Sequence, residues 1–117
     1  MYKIFGIRSC DTIKKTLKYF KDKDLPFSFH DYRIEGIEKE VIEEWVKQVG
    51  LDTIFNKKST TWRELDEAFQ KTINTEKKAI KLMADRTTLI KRPVITKRGK
   101  VVAIGFSEED FKEKFRT

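Results

Sequence analysis

The sequence of 117 residues has few of the residue types that build disulfides, metal sites and flexible linkers. It contains one cysteine, Cys10, one histidine, His30, and two prolines. A single cysteine excludes an internal disulfide, so a redox cycle needs an outside thiol or a second protein molecule. The lone histidine has no companion ligands, and we expect no metal site. No stretch rich in Pro, Gly or Ser interrupts the chain, which predicts a single domain over 1–117.

Long apolar runs are also missing. No run reaches the length of a membrane span. Charged residues interrupt the apolar stretch at the N-terminus, and this is unlike a signal peptide. Together these absences predict a cytoplasmic protein with no membrane partner.

Charge, in contrast, is abundant. The 26 Lys and Arg residues outnumber the 19 Asp and Glu residues and give a net charge of +7. This excess suits an anionic partner such as an oxyanion or the carboxylates of glutathione. Acidic residues are interspersed with the basic ones, so we expect no direct nucleic-acid binding.

The first fifteen residues predict a strand, a tight turn and the start of a helix. Residues 2–7 are rich in aromatic and β-branched side chains, as strands are. Asp11 or Thr12 is expected to cap the following helix. Three apolar residues then recur at helical spacing and predict one buried face: Ile13, Leu17 and Phe20.

This arrangement places Cys10 at the N-terminus of the predicted helix. Unpaired amides and the positive end of the helix dipole favour an anion there, and a thiolate is an anion. Arg8 and Lys14 add positive charge nearby. The context predicts a reactive thiol. The alternative is that Cys10 is a small buried hydrophobic residue without chemistry.

The rest of the chain predicts the order βαβ, helices, ββα. Further strands are expected at Phe27–Tyr32, Pro93–Ile95 and Val101–Gly105, the last two joined by a hairpin turn at Lys97–Lys100. A helical insertion of about 37–86 separates the two halves. Its predicted parts are a helical stripe from Ile37 to Val49, a turn at Leu51–Phe55, a polar loop at Asn56–Thr60, a capping box at Thr61–Glu64 and a helix at Glu76–Asp85.

The last predicted helix follows Ser107. Ser107 is expected to cap it, and Phe111 and Phe115 are expected to be buried. The resulting fold class is α/β, with a four-stranded mixed sheet and a helical insertion.

Several stretches of the sequence resemble the arsenate reductase-like family, which includes ArsC, Spx and YffB-type branches. They are Gly6–Lys15, Phe29–Tyr32, Asn56–Arg63, Leu89–Val94 and Val102–Glu109, in the expected order over nearly the whole chain. The resemblance implies a thioredoxin-like fold. It extends furthest to the YffB-type branch, through Cys-Asp-Thr, Thr-Thr-Trp-Arg and Lys-Arg-Pro-Val. That branch is regarded as a group of glutathione-dependent thiol reductases.

The resemblance also implies the roles of two residues. Cys10 is expected to be the catalytic nucleophile, and Arg92 is expected to face it and bind an anion. A cis Arg92–Pro93 peptide would turn Arg92 toward the cysteine loop. Without the resemblance, Arg92 would be interpreted as a solvated loop residue and Pro93 as the start of an edge strand.

Further substrate-binding residues are expected in two groups. Arg8, Asp11, Thr12 and Pro93 belong to the cysteine and proline loops. Lys57, Lys58 and Arg63 are additional candidates for binding an acidic cosubstrate.

Departures from the arsenate reductases bear on the substrate. Their oxyanion clamp uses three arginines, and only the Arg92 position clearly matches. The other two positions correspond here to Asn-Lys-Lys at 56–58 and Gly-Phe at 105–106, and Gly6 stands where those enzymes have a histidine. Lysine does not reproduce the bidentate fork of arginine, so efficient arsenate reduction is not expected.

The sequence therefore predicts a monothiol oxidoreductase with no bound cofactor. Cys10 would act as a thiolate nucleophile on a disulfide, or on an oxidised or oxyanion substrate, and glutathione or another low-molecular-weight thiol would resolve the adduct. The alternative is an Spx-like regulator that binds the RNA polymerase α subunit, although Ile13 occupies the position of the second switch cysteine. A third possibility is a family member in which the thiol is structural.

Overall fold

The computed structural model describes residues 1–116, and the chain divides into two compact units. The first unit combines Met1–Glu35 with the chain from Arg92 onward, and the second is Gly36–Lys91. The predicted insertion, about 37–86, falls inside the second unit. Among the described residues, no helix is both long enough and apolar enough to cross a membrane.

Strands and helices alternate at the start of the chain, and a run of helices separates the two pairs of strands. The strands are β1 (Tyr2–Gly6), β2 (Phe27–Asp31), β3 (Val94–Lys97) and β4 (Lys100–Ile104). The helices are α1 (Asp11–Asp22), α2 (Tyr32–Glu35), α3 (Lys39–Val49), α4 (Leu51–Ile54), α5 (Thr60–Arg63), α6 (Glu67–Thr72), α7 (Glu76–Asp85) and α8 (Glu108–Lys114). A short 3-10 helix at Thr87–Leu89 follows α7.

The four strands form one mixed sheet in the order β2-β1-β3-β4. β1 is parallel to β2 and antiparallel to β3, and β3 is antiparallel to β4. α1 connects the parallel pair, because parallel neighbours need a crossover rather than a tight turn. The predicted four-stranded mixed sheet is confirmed.

The apolar face of α1 forms much of the core of the first unit, as its helical spacing predicts. Ile13 and Phe20 are fully buried and cluster with Ile4 of β1. Phe111 of α8 joins them, with its ring centroid 6.2 Å from that of Phe20. Burying each of these side chains contributes about 1.5–3 kcal/mol.

The hairpin between β3 and β4 is tighter than predicted. Lys97 and Lys100 are paired, so the strands extend to both of them and only Arg98 and Gly99 form the turn. These two residues have φ values of +53° and +81°. Positive φ at both turn positions is the type I′ geometry that matches the twist of a hairpin.

The second strand ends one residue earlier than predicted. β2 stops at Asp31, and Tyr32 is the first residue of α2. The Asp31 carboxylate accepts a hydrogen bond from the backbone N–H of Arg33 at 3.0 Å. A side chain that captures an amide two residues on turns the chain out of the strand.

The last helix forms as predicted. Ser107 caps α8, its hydroxyl accepting a hydrogen bond from the backbone N–H of Asp110 at 3.2 Å. Phe111 and Phe115 are both buried. The cap stabilises the helix by roughly 1 kcal/mol.

The second unit is helical, and its main helices match the predicted periodicity. α3 begins at Lys39, so Ile37 lies before it, and its buried face contains Ile42 and Trp45. α7 occupies the predicted residues, with Thr75 as its cap. An isolated bridge pairs Phe55 with Ile90.

The predicted capping box in the second unit is wrong. α5 begins at Thr60, inside the predicted loop, and Ser59 is its cap, accepting a hydrogen bond from the N–H of Trp62 at 3.2 Å. α6 was not predicted. It is a short helix capped by Asp66. Because it contains no buried residue, its sequence has no apolar stripe from which a helix could be predicted.

Candidate functional site

Cys10 lies at the N-terminus of α1, as the sequence predicts. It is itself the N-cap residue, and neither Asp11 nor Thr12 caps the helix, because Asp11 is already its first residue. The Cys10 N–H donates to the carbonyl of Ile7 at 3.0 Å, and the Cys10 carbonyl accepts from the N–H of Lys14 at 3.0 Å. These bonds hold the backbone of the cysteine loop at both ends. The first turn of a helix has free amides at its N-terminus, and Cys10 is the residue at that end of α1.

The Cys10 side chain is only partly buried. It packs against the edge of the core cluster that contains Ile13 and Phe20. No side-chain hydrogen bond caps α1 at this position. Cys10 is therefore neither sealed in the core nor fully exposed.

Gly6 explains how close α1 approaches the sheet. A Cβ at position 6 would overlap the side chain of Ile13, whose Cγ1 would be 2.7 Å away and whose Cδ1 would be closer still. The space beside Gly6 is occupied by the side chain of Ile13. A larger residue at position 6 would displace the start of α1, and Cys10 with it.

The positive charge of Arg8 lies beside the cysteine loop. The guanidinium carbon of Arg8 is 4.9 Å from the ring centroid of Phe29, a cation–π contact that orients the side chain. Arg8 also lines a groove of about 350 Å³ along α1, together with Lys14, Leu17, Lys18, Lys21 and Asp22. The groove carries four cations and one carboxylate. A hydrogen bond to Asp22 raises the pKa of Lys18 and keeps its ammonium charged.

Arg33 is a site residue that sequence reasoning missed. Its Nη1 donates a hydrogen bond to Ser9 Oγ at 3.1 Å, directly before Cys10. The contact joins residues 24 positions apart. It forms because β1 and β2 are parallel, with Gly6 paired to Asp31, so the segments that follow both strands emerge at the same end of the sheet. The one feature of the sequence that could have indicated this position is Asp31, because its carboxylate ends β2 and so places Arg33 in the helix that follows.

Arg92 and Pro93 lie at that same end of the sheet. β3 begins at Val94, which pairs with Phe5, one residue before β1 ends. The Arg92–Pro93 peptide is cis, which confirms the geometry expected from the resemblance. Pro93 is buried and its carbonyl accepts the N–H of Gly105 at 2.8 Å. Arg92 is half-buried.

Tyr32 was expected at the end of the second strand and instead opens α2. Its side chain is 3% exposed, and its ring stacks on Phe5 at 6.4 Å and contacts His30 at 5.9 Å between centroids. Burial raises the pKa of Tyr32 above its usual value, and the positive charge of Arg92 opposes this shift. The Tyr32 ring and Arg92 lie at the same end of the sheet, since Phe5 stacks on the ring and pairs with Val94, two residues after Arg92.

The predicted binding residues divide between the two units. Cys10, Arg8, Asp11, Thr12, Arg92 and Pro93 lie in the first unit, at the end of the sheet where β1 stops and β3 starts. Lys57, Lys58 and Arg63 lie in the second unit.

Lys57 and Lys58 are organised locally within the second unit. The Lys57 ammonium lies over two rings, 5.6 Å from the centroid of Phe55 and 5.8 Å from that of Trp62. The backbone N–H of Lys58 donates to the Asn56 side-chain oxygen at 3.2 Å. The side chain of Arg63 is exposed.

The first unit thus presents a cysteine thiol and three arginines at one end of its sheet, and a basic groove runs from Arg8 along α1. Thiol attack on sulfur or on an oxyanion centre is chemistry that such a group of residues supports. Within residues 1–116, no three His, Cys, Asp or Glu side chains are grouped so that they could hold a metal ion.

The fold and this cysteine loop define a class of protein: an α/β chain of the ArsC and thioredoxin-like type. The family model described as "ArsC family" matches residues 5–114. The chain belongs to the ArsC family.

Individual relatives cover almost the full chain. An uncharacterised protein of Haemophilus influenzae is 39% identical over 115 residues, which are 98% of this chain and 99% of the relative. A solved structure named YFFB (PA3664) protein is 37% identical with a TM-score of 0.88, covering 97% of this chain and 98% of the other. An ArsC-related protein from Brucella melitensis is 31% identical with a TM-score of 0.77, covering 99% and 95%. The predicted likeness to the YffB-type branch is confirmed.

Proposed function

We propose that this chain is a monothiol oxidoreductase in which Cys10 is the nucleophile and a low-molecular-weight thiol of the glutathione type is the reductant. The observation that carries the proposal is the position of Cys10 at the N-terminus of α1, with Arg33 hydrogen-bonded to the preceding residue. Helix amides and nearby cations stabilise a thiolate, which is the reactive form of cysteine.

The proposed reaction has two exchange steps. The Cys10 thiolate attacks one sulfur of a disulfide substrate, the substrate S–S bond breaks, and the second sulfur leaves as a thiolate that takes a proton from water. A glutathione thiolate then attacks the Cys10 mixed disulfide and releases the Cys10 thiolate. The net change is that one disulfide and one glutathione become one thiol and a mixed disulfide between glutathione and the other half of the substrate. When Cys10 retains the glutathionyl sulfur of a glutathione mixed disulfide, that product is glutathione disulfide.

The external thiol is required because the chain has a single cysteine. A second cysteine that could resolve the adduct within the same molecule does not exist. A reducing compartment such as the cytoplasm, where glutathione is abundant, is therefore the proposed location.

The groove along α1 supports an acidic cosubstrate. Glutathione carries two carboxylates, and the groove presents Arg8 in the cysteine loop, Lys14 in the first turns of α1 and Lys21 in its last turn. Its volume of about 350 Å³ is within the range of small-molecule sites. Lys57, Lys58 and Arg63 stay proposed as secondary binding residues.

Arg92 is proposed to bind the anionic part of the substrate. The arginine fork recognises carboxylates and tetrahedral oxyanions by paired hydrogen bonds, which lysine does not reproduce.

Turnover of a glutathione mixed disulfide of a small peptide tests the proposal. We expect Cys10→Ser to abolish turnover and Arg92→Lys to lower kcat/KM by roughly tenfold or more. Arg98→Lys is the matched control, because Arg98 lies in the hairpin turn at the other end of β3. Turnover that survives Cys10→Ser refutes the proposal. Copurification with the RNA polymerase α subunit that is insensitive to Cys10→Ser would favour the regulator instead.

A further inference from the structure

The hydroxyl of Tyr32 is a buried polar group that the fold does not use. Within residues 1–116, Tyr32 Oη is the buried side-chain atom that is left without a hydrogen-bond partner. Other buried polar side chains are satisfied: the Thr16 hydroxyl donates to the Thr12 carbonyl at 2.8 Å, and Asp31 accepts from the N–H of Arg33. Buried polar atoms in folded proteins are almost always paired, so an unpaired one calls for a specific reason.

Packing explains the ring of Tyr32 and leaves its oxygen unexplained. The ring stacks on Phe5 and meets His30 edge-on. A phenylalanine would make the same ring contacts without burying an unsatisfied hydroxyl. The ligand-free protein therefore gains nothing from the oxygen.

The position of Tyr32 connects the hydroxyl to the cysteine end of the sheet. The preceding residue, Asp31, pairs with Gly6 at the end of β1, and the following residue, Arg33, donates to Ser9 in the cysteine loop. The Tyr32 ring stacks on Phe5, and Phe5 pairs with Val94, two residues after Arg92. Tyr32 thus lies at the same end of the sheet as the arginine that the proposed function assigns to the anionic part of the substrate.

The Tyr32 phenol and the Arg92 guanidinium are both hydrogen-bond donors, so a single anionic oxygen could accept hydrogen bonds from both of them. A tyrosine hydroxyl is protonated at neutral pH and can donate, and burial raises the pKa of Tyr32 further from neutrality. A ligand oxygen placed between the two groups would supply the hydrogen bond that the free protein lacks.

We propose that Tyr32 is a ligand-binding residue whose buried hydroxyl donates a hydrogen bond to the anionic oxygen that Arg92 binds. The ligand group is a carboxylate or an inorganic oxyanion, which offer the same acceptor chemistry. This inference rests on the proposed function for the role of Arg92, and it adds a donor that does not take part in the sulfur chemistry.

Calorimetric titration of the reduced full chain tests the inference with two probes, reduced glutathione and inorganic phosphate. We expect Tyr32→Phe to weaken binding by roughly tenfold, for glutathione if the ligand group is a carboxylate and for phosphate if it is an inorganic oxyanion. Tyr19→Phe is the matched control, because it removes the hydroxyl of another buried tyrosine, in α1. Tyr32→Phe with Arg92→Lys should weaken binding by less than the product of the single effects, since both residues would hold one group.

Thermal unfolding without ligand separates this role from a structural one. We expect Tyr32→Phe to melt at the wild-type temperature or above it, since no hydrogen bond is lost. Equal affinity of wild type and Tyr32→Phe for both probes overturns the inference, as does the failure of both probes to bind the wild type. A lower melting temperature for Tyr32→Phe also overturns it. None of these measurements depends on turnover. A negative result here would therefore overturn the role of Tyr32 without deciding whether Cys10 is the nucleophile.

Discussion

Because Gly6 packs directly against Ile13, Gly6→Ala tests whether the close packing of β1 against α1 stabilises the first unit. The added methyl would lie 2.7 Å from Ile13 Cγ1 and would overlap Cδ1. Ile13 is fully buried in the core of the first unit, so its side chain has no free space to occupy. Overpacking of this kind costs about 1–3 kcal/mol.

A smaller term opposes that cost. Replacing glycine by alanine reduces the conformational entropy of the unfolded chain and stabilises by about 0.4–1 kcal/mol. The net loss for Gly6→Ala is therefore about 1–2 kcal/mol. Thermal unfolding should show a decrease in Tm of roughly 4–8 °C, and urea unfolding should show a lower midpoint with the same slope.

A double-mutant cycle with Ile13→Val identifies the cause. Ile13→Val removes Cδ1, the atom that the new methyl overlaps most, and by itself costs about 0.5–1.5 kcal/mol. Gly6→Ala should cost at least about 0.5 kcal/mol less in that background than in the wild type. Gly36→Ala is the control, because its φ of +64° is strained but nothing lies near its Cβ, and its effect should be additive with Ile13→Val. A Gly6→Ala variant as stable as the wild type would refute the reasoning.

Three further outcomes follow from single contacts. Arg33→Gln removes the cation bonded to Ser9 and should slow alkylation of Cys10 by iodoacetamide roughly twofold at low salt, a difference that high salt should reduce. Ser59→Ala removes the cap of its helix and should lower the free energy of unfolding by about 1 kcal/mol in urea, with no change in Cys10 alkylation. Burial raises the pKa of Tyr32 above its unfolded value of 10.0, so the unfolded state releases this proton first and stability falls as pH rises above about 10. Tyr32→Phe should make that decline shallower, and an unchanged pH profile would contradict the buried position of the phenol.

The sequence predicted best where one periodic pattern coincided with one buried face. Ile13 and Phe20 recur at helical spacing, and both are fully buried in the structure. Prediction failed where a local side-chain contact decided the structure. The apolar residues before Tyr32 suggested a continuing strand, but the Asp31 carboxylate captures the N–H of Arg33 and begins a helix.

The candidate site was only partly predictable for a similar reason. Cys10 and Arg92 belong to short recognisable motifs, whereas Arg33 reaches the loop through a contact with Ser9 that depends on strand pairing. The unsatisfied hydroxyl of Tyr32 depends on every neighbour that surrounds it, and no local pattern contains that information.

The strand order has a consequence for the order in which the first unit unfolds. β1 and β3 occupy the two inner positions of the sheet, with β2 and β4 outside them. Cys10 follows β1 and Arg92 precedes β3, so both are attached to strands that are hydrogen-bonded on two sides. Such strands open last, and their amides exchange with solvent most slowly. Fraying of β4 at the edge of the sheet therefore leaves β1, and the backbone that leads from it into the cysteine loop, hydrogen-bonded to β2 and β3.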